Sequence, residues 1–361
     1  MTQNSRLAGL RRKLYEKGIE ALLVSRLENR LYISGFDGSS GFLLITGKSA
    51  VLATDFRFVE QAQNQSPGFE IFQTKGELSG WFPNLPGLCG IKTLGFEADN
   101  ITFDTHRRLA DAIKESGHSL EFMPVSGTVE SLRMIKDPGE IRLISKAVSI
   151  SDAAMDEIAP RIRPGMTEVE AAWLIEEHIR TGGSQPLPFE IILASGPNAA
   201  LPHASPSGRP IGHGEPVVID IGAKFEGYAS DITRTISAGT ADKKFKEIYS
   251  IVFEAQQAAI NGIAACMTGA QADMLARRVI ADAGFGDNFG HGLGHGVGLA
   301  VHEKPALNSR SEDVLSDGMV FTIEPGIYIP EWGGIRIEDT VVMEHGKIRV
   351  LSQAVKMKGT V

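Results

Sequence analysis

Four acidic residues stand where apolar strands should run. They are Asp220 in Val217-Val218-Ile219-Asp220-Ile221-Gly222, Asp231 in Ser230-Asp231-Ile232-Thr233-Arg234, Glu324 in Phe321-Thr322-Ile323-Glu324-Pro325-Gly326, and Glu338 in Gly334-Ile335-Arg336-Ile337-Glu338-Asp339. Runs rich in Val, Ile and Phe are strands with a buried face. A carboxylate on such a face is costly unless it is paired. Four that converge repel one another and raise one another's pKa. Two divalent cations would cancel the four charges, and a fold that brings these strands together would make a place for them.

A fifth donor is His295, in the glycine-rich run His291-Gly292-Leu293-Gly294-His295-Gly296-Val297-Gly298. Oxygen ligands with one imidazole suit Mn2+, Fe2+, Co2+ or Zn2+, of which Mn2+ is taken first. No cysteine lies near these residues, which argues against a soft thiolate site. Two such ions, roughly 3.5 Å apart, hold a water between them and lower its pKa. Each residue also has a plainer reading. A lone Asp in a strand is commonly a turn or edge residue, and the glycine run could be no more than a tight loop. That run lacks the Lys-Ser/Thr and the strand–helix context of a phosphate-binding loop. Glu338 could pair with Arg336, which shares its strand face at i, i+2. His203 and His302, taken singly, read as solvated or structural, and Phe189 as core packing. The joint occurrence carries the argument.

The rest of the chain frames that cluster. Its 361 residues suggest two domains. A net charge of −8 argues against nucleic-acid binding, which favours basic faces. No signal-peptide core and no 18-residue apolar run is found, so a soluble, cytoplasmic protein without membrane contact is expected. Cys89 and Cys266 lie far apart and read as free thiols. The first part alternates short strands with helices, such as Ala21 to Ser25, Phe42 to Ile45 and Thr105 to Ser116. That spacing suggests an α/β domain with a mostly parallel sheet over residues 1–126. Residues 127–361 form the second domain. It opens with a long helix capped by Asp137, with Pro138 in its first turn and Glu140 placed for a capping box. Within it, Gly165-Met166-Thr167 and its helix find a weak echo 104 residues on, at Gly269. A duplicated αβ unit would meet itself around a shared cleft. Tyr228 to Thr235 and Ile335 to Val342 read as continuous strands.

Asp, Asp eleven residues on, His, Glu, and Glu fourteen residues on form a pattern that resembles the pita-bread metallopeptidases. The runs His-Gly-Leu-Gly-His-Gly-Val-Gly-Leu and Gly-Gly-Ile-Arg-Ile-Glu-Asp are similar to its proline-specific branch, which holds X-Pro aminopeptidase and X-Pro dipeptidase (prolidase). The resemblance covers the whole chain. It implies a small N-terminal α/β domain like that of creatinase, followed by a pseudo-two-fold catalytic domain of mixed α/β class. It implies that Asp231 and Glu338 bridge two metal ions, that Asp220 binds one, and that His295 and Glu324 bind the other. Glu324 would also accept the proton of the bridging water. His203 and His302 would contact the substrate and stabilise the reacting amide. His291 and Arg336 would line the side that receives proline, with Phe189 an apolar wall. A homodimer acting on proline-containing peptides is implied. Ile33 to Gly41 and Thr54 to Phe58 look more like the aminopeptidase, whereas the second domain looks equally like prolidase. A non-catalytic binding protein of the same fold is the alternative of another class, but such relatives lose ligands and this chain keeps all five.

Overall fold

The computed structural model describes residues 3–357, so residues 1–2 and 358–361, at the ends of the two expected domains, lie outside the described residues. Two compact units divide between Arg133 and Met134. In the first, strands pair in the order Glu70–Gln73, Ala50–Thr54, Phe42–Thr46, Ala21–Val24, Thr93–Glu97 and Glu121–Val125. The central pairings on either side of Phe42–Thr46 are antiparallel and the other three are parallel. The mixture follows from the sequence, because Phe42 to Thr54 is one hairpin inserted into a strand–helix alternation. The helix Phe103–Glu115 starts where Thr102 accepts a hydrogen bond from the Thr105 N–H, and it buries Leu109, Ala112 and Ile113. A helix over Leu27–Ser34, ended by Gly35 at φ 80°, has no distinct apolar period and was not expected.

The second unit is built twice over. Its long helix, Pro138–Ile158, has the expected capping box between Asp137 and Glu140. The helix Glu168–Thr181 is capped by Thr167 with Glu170, and the helix Gly269–Asp282 by Thr268 with Gln271. Ala171, Ala172, Ile175 and Ile179 are buried on the first, and Ala272, Asp273, Ala276 and Ile280 on the second. These positions match at an offset of 101, not 104 as the sequence echo suggested. A slip of three residues is close to one helical turn, so apolar positions still coincided while the caps did not. The offset of 104 belongs to the strands instead. The N–H of Gly165 donates to Ile211 and that of Cys266 to Leu315, and Thr167 bridges to Pro210 as Thr268 does to Val314. The second connection is therefore three residues longer.

Each half then presents strands to the centre. The first sheet runs Ile232–Ser237, Pro216–Ile221, Ile192–Ser195, and the second runs Glu303–Leu307, Gly294–Gly296, Val320–Ile323, Asp339–Glu344, Lys347–Val350. Two apolar clusters lie behind them. Ile175, Leu193, Ile219 and Ile232 belong to one, and Ala276, Leu293, Phe321 and Val341 to the other. Two strands expected to be continuous are broken. Tyr228–Ala229 pairs with Lys224–Phe225 across a tight turn with Glu226 at φ 45° and Gly227 at φ 85°, and the chain restarts at Ile232. Gly333–Arg336 pairs with Gly326–Ile329, and the chain restarts in another sheet at Asp339. The breaks fall on Asp231 and Glu338. The alternation of apolar residues continues through both, so the change of partner leaves no mark in the sequence. Among the described residues, no helix is long and apolar enough to cross a membrane.

Candidate metal centre

Asp220 sits inside a ladder, opposite Thr233 on one side and Ile192 on the other, and His295 sits in the strand Gly294–Gly296 opposite Ala306. Glu324 directly follows Val320–Ile323, and its N–H is tied to the Leu293 carbonyl at 2.8 Å. Glu338 is anchored through its N–H to the Thr233 carbonyl at 3.0 Å. These placements bring Asp220, Asp231, His295, Glu324 and Glu338 to the wall of one cavity of about 510 Å³. A donor atom from each of Asp231, His295 and Glu338 lies within 4.8 Å of the others. His295 Nε2 stands 3.3 Å from Glu324 Oε1 and 3.6 Å from Asp231 Oδ2.

The cluster is short of positive charge. Glu338 accepts one bond from the Thr233 hydroxyl, at 2.6 Å, and Glu324 one from the Thr322 hydroxyl, at 3.0 Å. Asp220 Oδ2 takes the Arg336 guanidinium at 2.6 Å, while its buried Oδ1 has no partner among the described residues. Burial, and then the neighbouring carboxylates, push the carboxyls of Asp231 and Glu338 well above the usual range. Burial also raises Glu324. The imidazole of His295 shifts the other way, since burial disfavours its cation. Its Nδ1 lies 3.2 Å from the Gly296 carbonyl, a bond that places the hydrogen on Nδ1 and leaves the Nε2 lone pair facing the carboxylates. Oxygen donors with one neutral imidazole, an unpartnered buried oxygen and mutual repulsion fit a pair of divalent cations.

The remaining expected residues share the cavity. His203, His302, His291, Arg336 and Phe189 all line it. The His302 ring packs on His295 with centroids 4.1 Å apart, and burial, followed by the neighbouring His295, lowers its pKa to about 4. Phe189 lies over Gly222, where a Cβ would come within 2.5 Å of its ring. It is therefore at once a wall and a packing residue. Arg336 turns to Asp220 rather than Glu338. Its Nη1 also donates to the Tyr328 hydroxyl at 2.8 Å and to the Pro202 carbonyl at 3.3 Å. That hydroxyl in turn lies 2.9 Å from His291 Nε2. Tyr328 was not anticipated. The signal was present in Gly326-Ile327-Tyr328-Ile329, a strand directly after Glu324-Pro325 that must pair with the strand carrying Arg336.

Comparison with known proteins agrees with this geometry. Residues 142–345 match metallopeptidase family M24, and residues 6–135 match the creatinase/prolidase N-terminal domain. An Xaa-Pro dipeptidase of Pyrococcus horikoshii is 39% identical over 91% of this chain and 91% of its own. The solved structure of an Xaa-Pro dipeptidase from Bacillus anthracis superposes with a TM-score of 0.94, at 42% identity, covering 98% of this chain and 99% of the other. An X-Pro aminopeptidase from Thermotoga maritima superposes with a TM-score of 0.88, at 37% identity, covering 97% and 98%. The mixed α/β unit with its two repeated halves is the pita-bread domain, preceded by a creatinase-type domain, and the chain belongs to metallopeptidase family M24.

Proposed function

We propose that this metallopeptidase hydrolyses the bond preceding proline in short peptides. The observation that carries the reading is the shared cavity, in which the carboxylate cluster adjoins the linked His291, Tyr328 and Arg336 side chains. Asp220, Asp231, His295, Glu324 and Glu338 would hold two divalent ions, Mn2+ first among the candidates. Such a pair makes hydroxide available near neutral pH and polarises the scissile carbonyl. Glu324 takes the proton of the attacking water, with its Oε1 fixed by Thr322. His302, its pKa lowered to about 4, is neutral near pH 7, so it acts on the reacting amide by hydrogen bonding rather than by charge, and His203 lines the same cavity to contact the substrate. Proline brings a tertiary amide with no N–H and a fixed φ. A compact wall of His291, Phe189 and Arg336 suits it without an acceptor for an amide hydrogen.

Of the two forms of this activity, the dipeptidase is favoured by the full-length relatives named Xaa-Pro dipeptidase. The aminopeptidase expected from the Ile33 to Gly41 stretch is supported by a different observation. A dipeptidase needs a cation for the free proline carboxylate, and Arg336 is already paired with Asp220. We assign the protein to the cytoplasm, where its exposed free thiols Cys89 and Cys266 are stable, and propose a homodimer on the family resemblance alone. Comparing Ala-Pro with Ala-Pro-Ala on Mn2+-loaded enzyme decides between the forms. A kcat/KM more than tenfold higher for the dipeptide, about 1.4 kcal/mol of transition-state preference, identifies a prolidase. Equal or faster tripeptide cleavage identifies an aminopeptidase, and failure to cut either overturns the proline reading.

A further inference from the structure

Asp231 and Glu338 lie at breaks between strands, so ladder pairing does not fix their backbones. Beyond the bond from the Glu338 N–H to the Thr233 carbonyl, what fixes them leads to a distant part of the chain. The Glu338 carbonyl accepts from Arg234 Nη1 at 2.6 Å, and the Asp231 carbonyl accepts from the Thr340 hydroxyl at 2.7 Å. Both donors are themselves held by the segment Leu351–Lys356. The Leu351 N–H donates to the Thr340 carbonyl, and the Thr340 N–H donates to the Ser352 hydroxyl at 3.0 Å. Arg234 reaches the Ala354 carbonyl through Nε at 3.1 Å and Nη2 at 2.8 Å. It also bonds the Thr233 carbonyl through Nη1 and Asp339 Oδ1 through Nη2. All five of its N–H donors are thereby used, and its side chain is 3% exposed.

The segment has no strand or helix of its own over residues 351–357. It is seated by charge instead. Asp152 accepts the Gln353 and Ala354 N–H groups, at 2.8 and 2.9 Å, and Asp156 accepts that of Val355 at 2.8 Å. Lys356 closes on Asp339, a fully buried carboxylate that also takes Gln256. Asp339 directly follows Glu338. A cation on the segment and one on the strand Ile232–Ser237 thus grip the residue next to a cluster carboxylate from two sides.

We infer that Ser352–Lys356 is a positioning strap, which through Arg234, Asp339 and Thr340 holds the carboxylates of Asp231 and Glu338 at the separation that metal binding requires. The physical need is repulsion. Like charges drawn together in a buried site spread unless their backbones are held, and outer-shell partners of metal ligands set affinity by doing so. The inference rests on the reading of Asp231 and Glu338 as metal ligands.

The test is calorimetric titration of chelator-stripped protein with Mn2+, alongside the melting temperature of the metal-free form. Lys356→Met is expected to weaken Mn2+ binding by roughly 10–100-fold, and Lys356→Arg to retain most of the affinity. Asp156→Ala, which removes one outlying anchor, is expected to shift Kd in the same direction by less. It carries the test if Lys356→Met does not fold. A strap that served stability alone would lower the metal-free melting temperature of these variants and leave the Mn2+ Kd unchanged, and that result overturns the proposal. Wild-type protein that binds no Mn2+ overturns both the strap and the metal reading, whereas normal wild-type binding with unaltered variants overturns the strap alone.

Discussion

Two regions of this molecule bury carboxylates, and they do it differently. In the first unit Glu97, 4% exposed, accepts from the Ser25 N–H and hydroxyl, the Arg26 N–H and the Asn29 amide, at 2.6 to 2.9 Å. Burial raises its pKa and these donors pull it back. In the cavity of the second unit, Asp231 meets a single basic side chain at ion-pair distance among the described residues, His295 at 3.6 Å, and three other carboxylates add to the effect of burial. A buried carboxylate ringed by donors is part of the architecture. One that faces other carboxylates is placed to hold a cation. Glu168 repeats the first pattern inside the second unit, with Ser195, Asn198 and Ser207 around it. The distinction therefore follows the environment and not the unit.

The strongest attempt to break this contrast is to remove the cation. Exhaustive chelation should abolish peptide hydrolysis and Mn2+ or Co2+ should restore it, whereas activity that survives chelation would make the cavity carboxylates as architectural as Glu97. Asp231→Asn and Glu338→Gln should lose Mn2+ and at least as much activity as Asp220→Asn, because Asp220 already has Arg336 beside it. Glu324→Gln should behave otherwise, lowering kcat by about 10²–10⁴ as loss of a general base does, while keeping much of the substrate binding. A near-normal kcat in that variant would move the proton acceptor elsewhere.

Stability sharpens the same contrast at smaller scale. Mn2+ at a hundred times its Kd should stabilise the folded protein by about 2.7 kcal/mol, read as a rise in melting temperature that Glu338→Gln abolishes. Glu97→Gln should do the reverse. It puts an amide N–H₂ among donors and should cost about 1–3 kcal/mol, with the Mn2+ Kd of the purified variant unchanged. A Glu97 variant that alters metal affinity would show that the two classes of carboxylate are not independent.

Much of the cluster was legible because its residues are anomalous where they stand. An acidic residue between Ile219 and Ile221, or after Ile323, conflicts with its surroundings, and the conflict is visible without coordinates. The capped start at Asp137, Pro138 and Glu140 was legible for a similar local reason. What stayed hidden depends on partners distant in sequence. The breaks at Asp231 and Glu338 arise from a change of sheet that apolar alternation cannot record. The helix echo was displaced by three residues because a helix nearly repeats itself at that spacing. The hold on Ala354 and Lys356 was invisible, since Asp152, Arg234 and Asp339 are ordinary surface types until topology buries them.

The smallest expected effect concerns Tyr328, where the contrast between architecture and chemistry falls within one side chain. Its ring is buried and its strand pairs with the strand of Arg336, so packing alone accounts for most of it. Its hydroxyl lies between His291 Nε2 and Arg336 Nη1, at 2.9 and 2.8 Å. Burial pushes the phenol pKa up, so the group is a neutral hydroxyl at working pH. Arg336 can only donate, so the phenol oxygen accepts from it and its hydrogen is left for His291 Nε2. His291 Nδ1, 2.8 Å from the Gly292 carbonyl, then carries the ring hydrogen. Tyr328→Phe keeps the packing and removes both bonds. Arg336 keeps Asp220 and the Pro202 carbonyl, so the bond that bears on the substrate side is the neutral one to His291; its loss is worth about 0.5–1.5 kcal/mol, and kcat/KM for an X-Pro substrate should fall by no more than about tenfold. The melting temperature should change little and the Mn2+ affinity not at all, since Arg336 keeps its bond to Asp220. If the variant instead loses metal, the hydroxyl supports the carboxylate cluster through Arg336 rather than orienting the His291 side of the cavity. If it loses nothing, the ring alone is what the fold requires at this position.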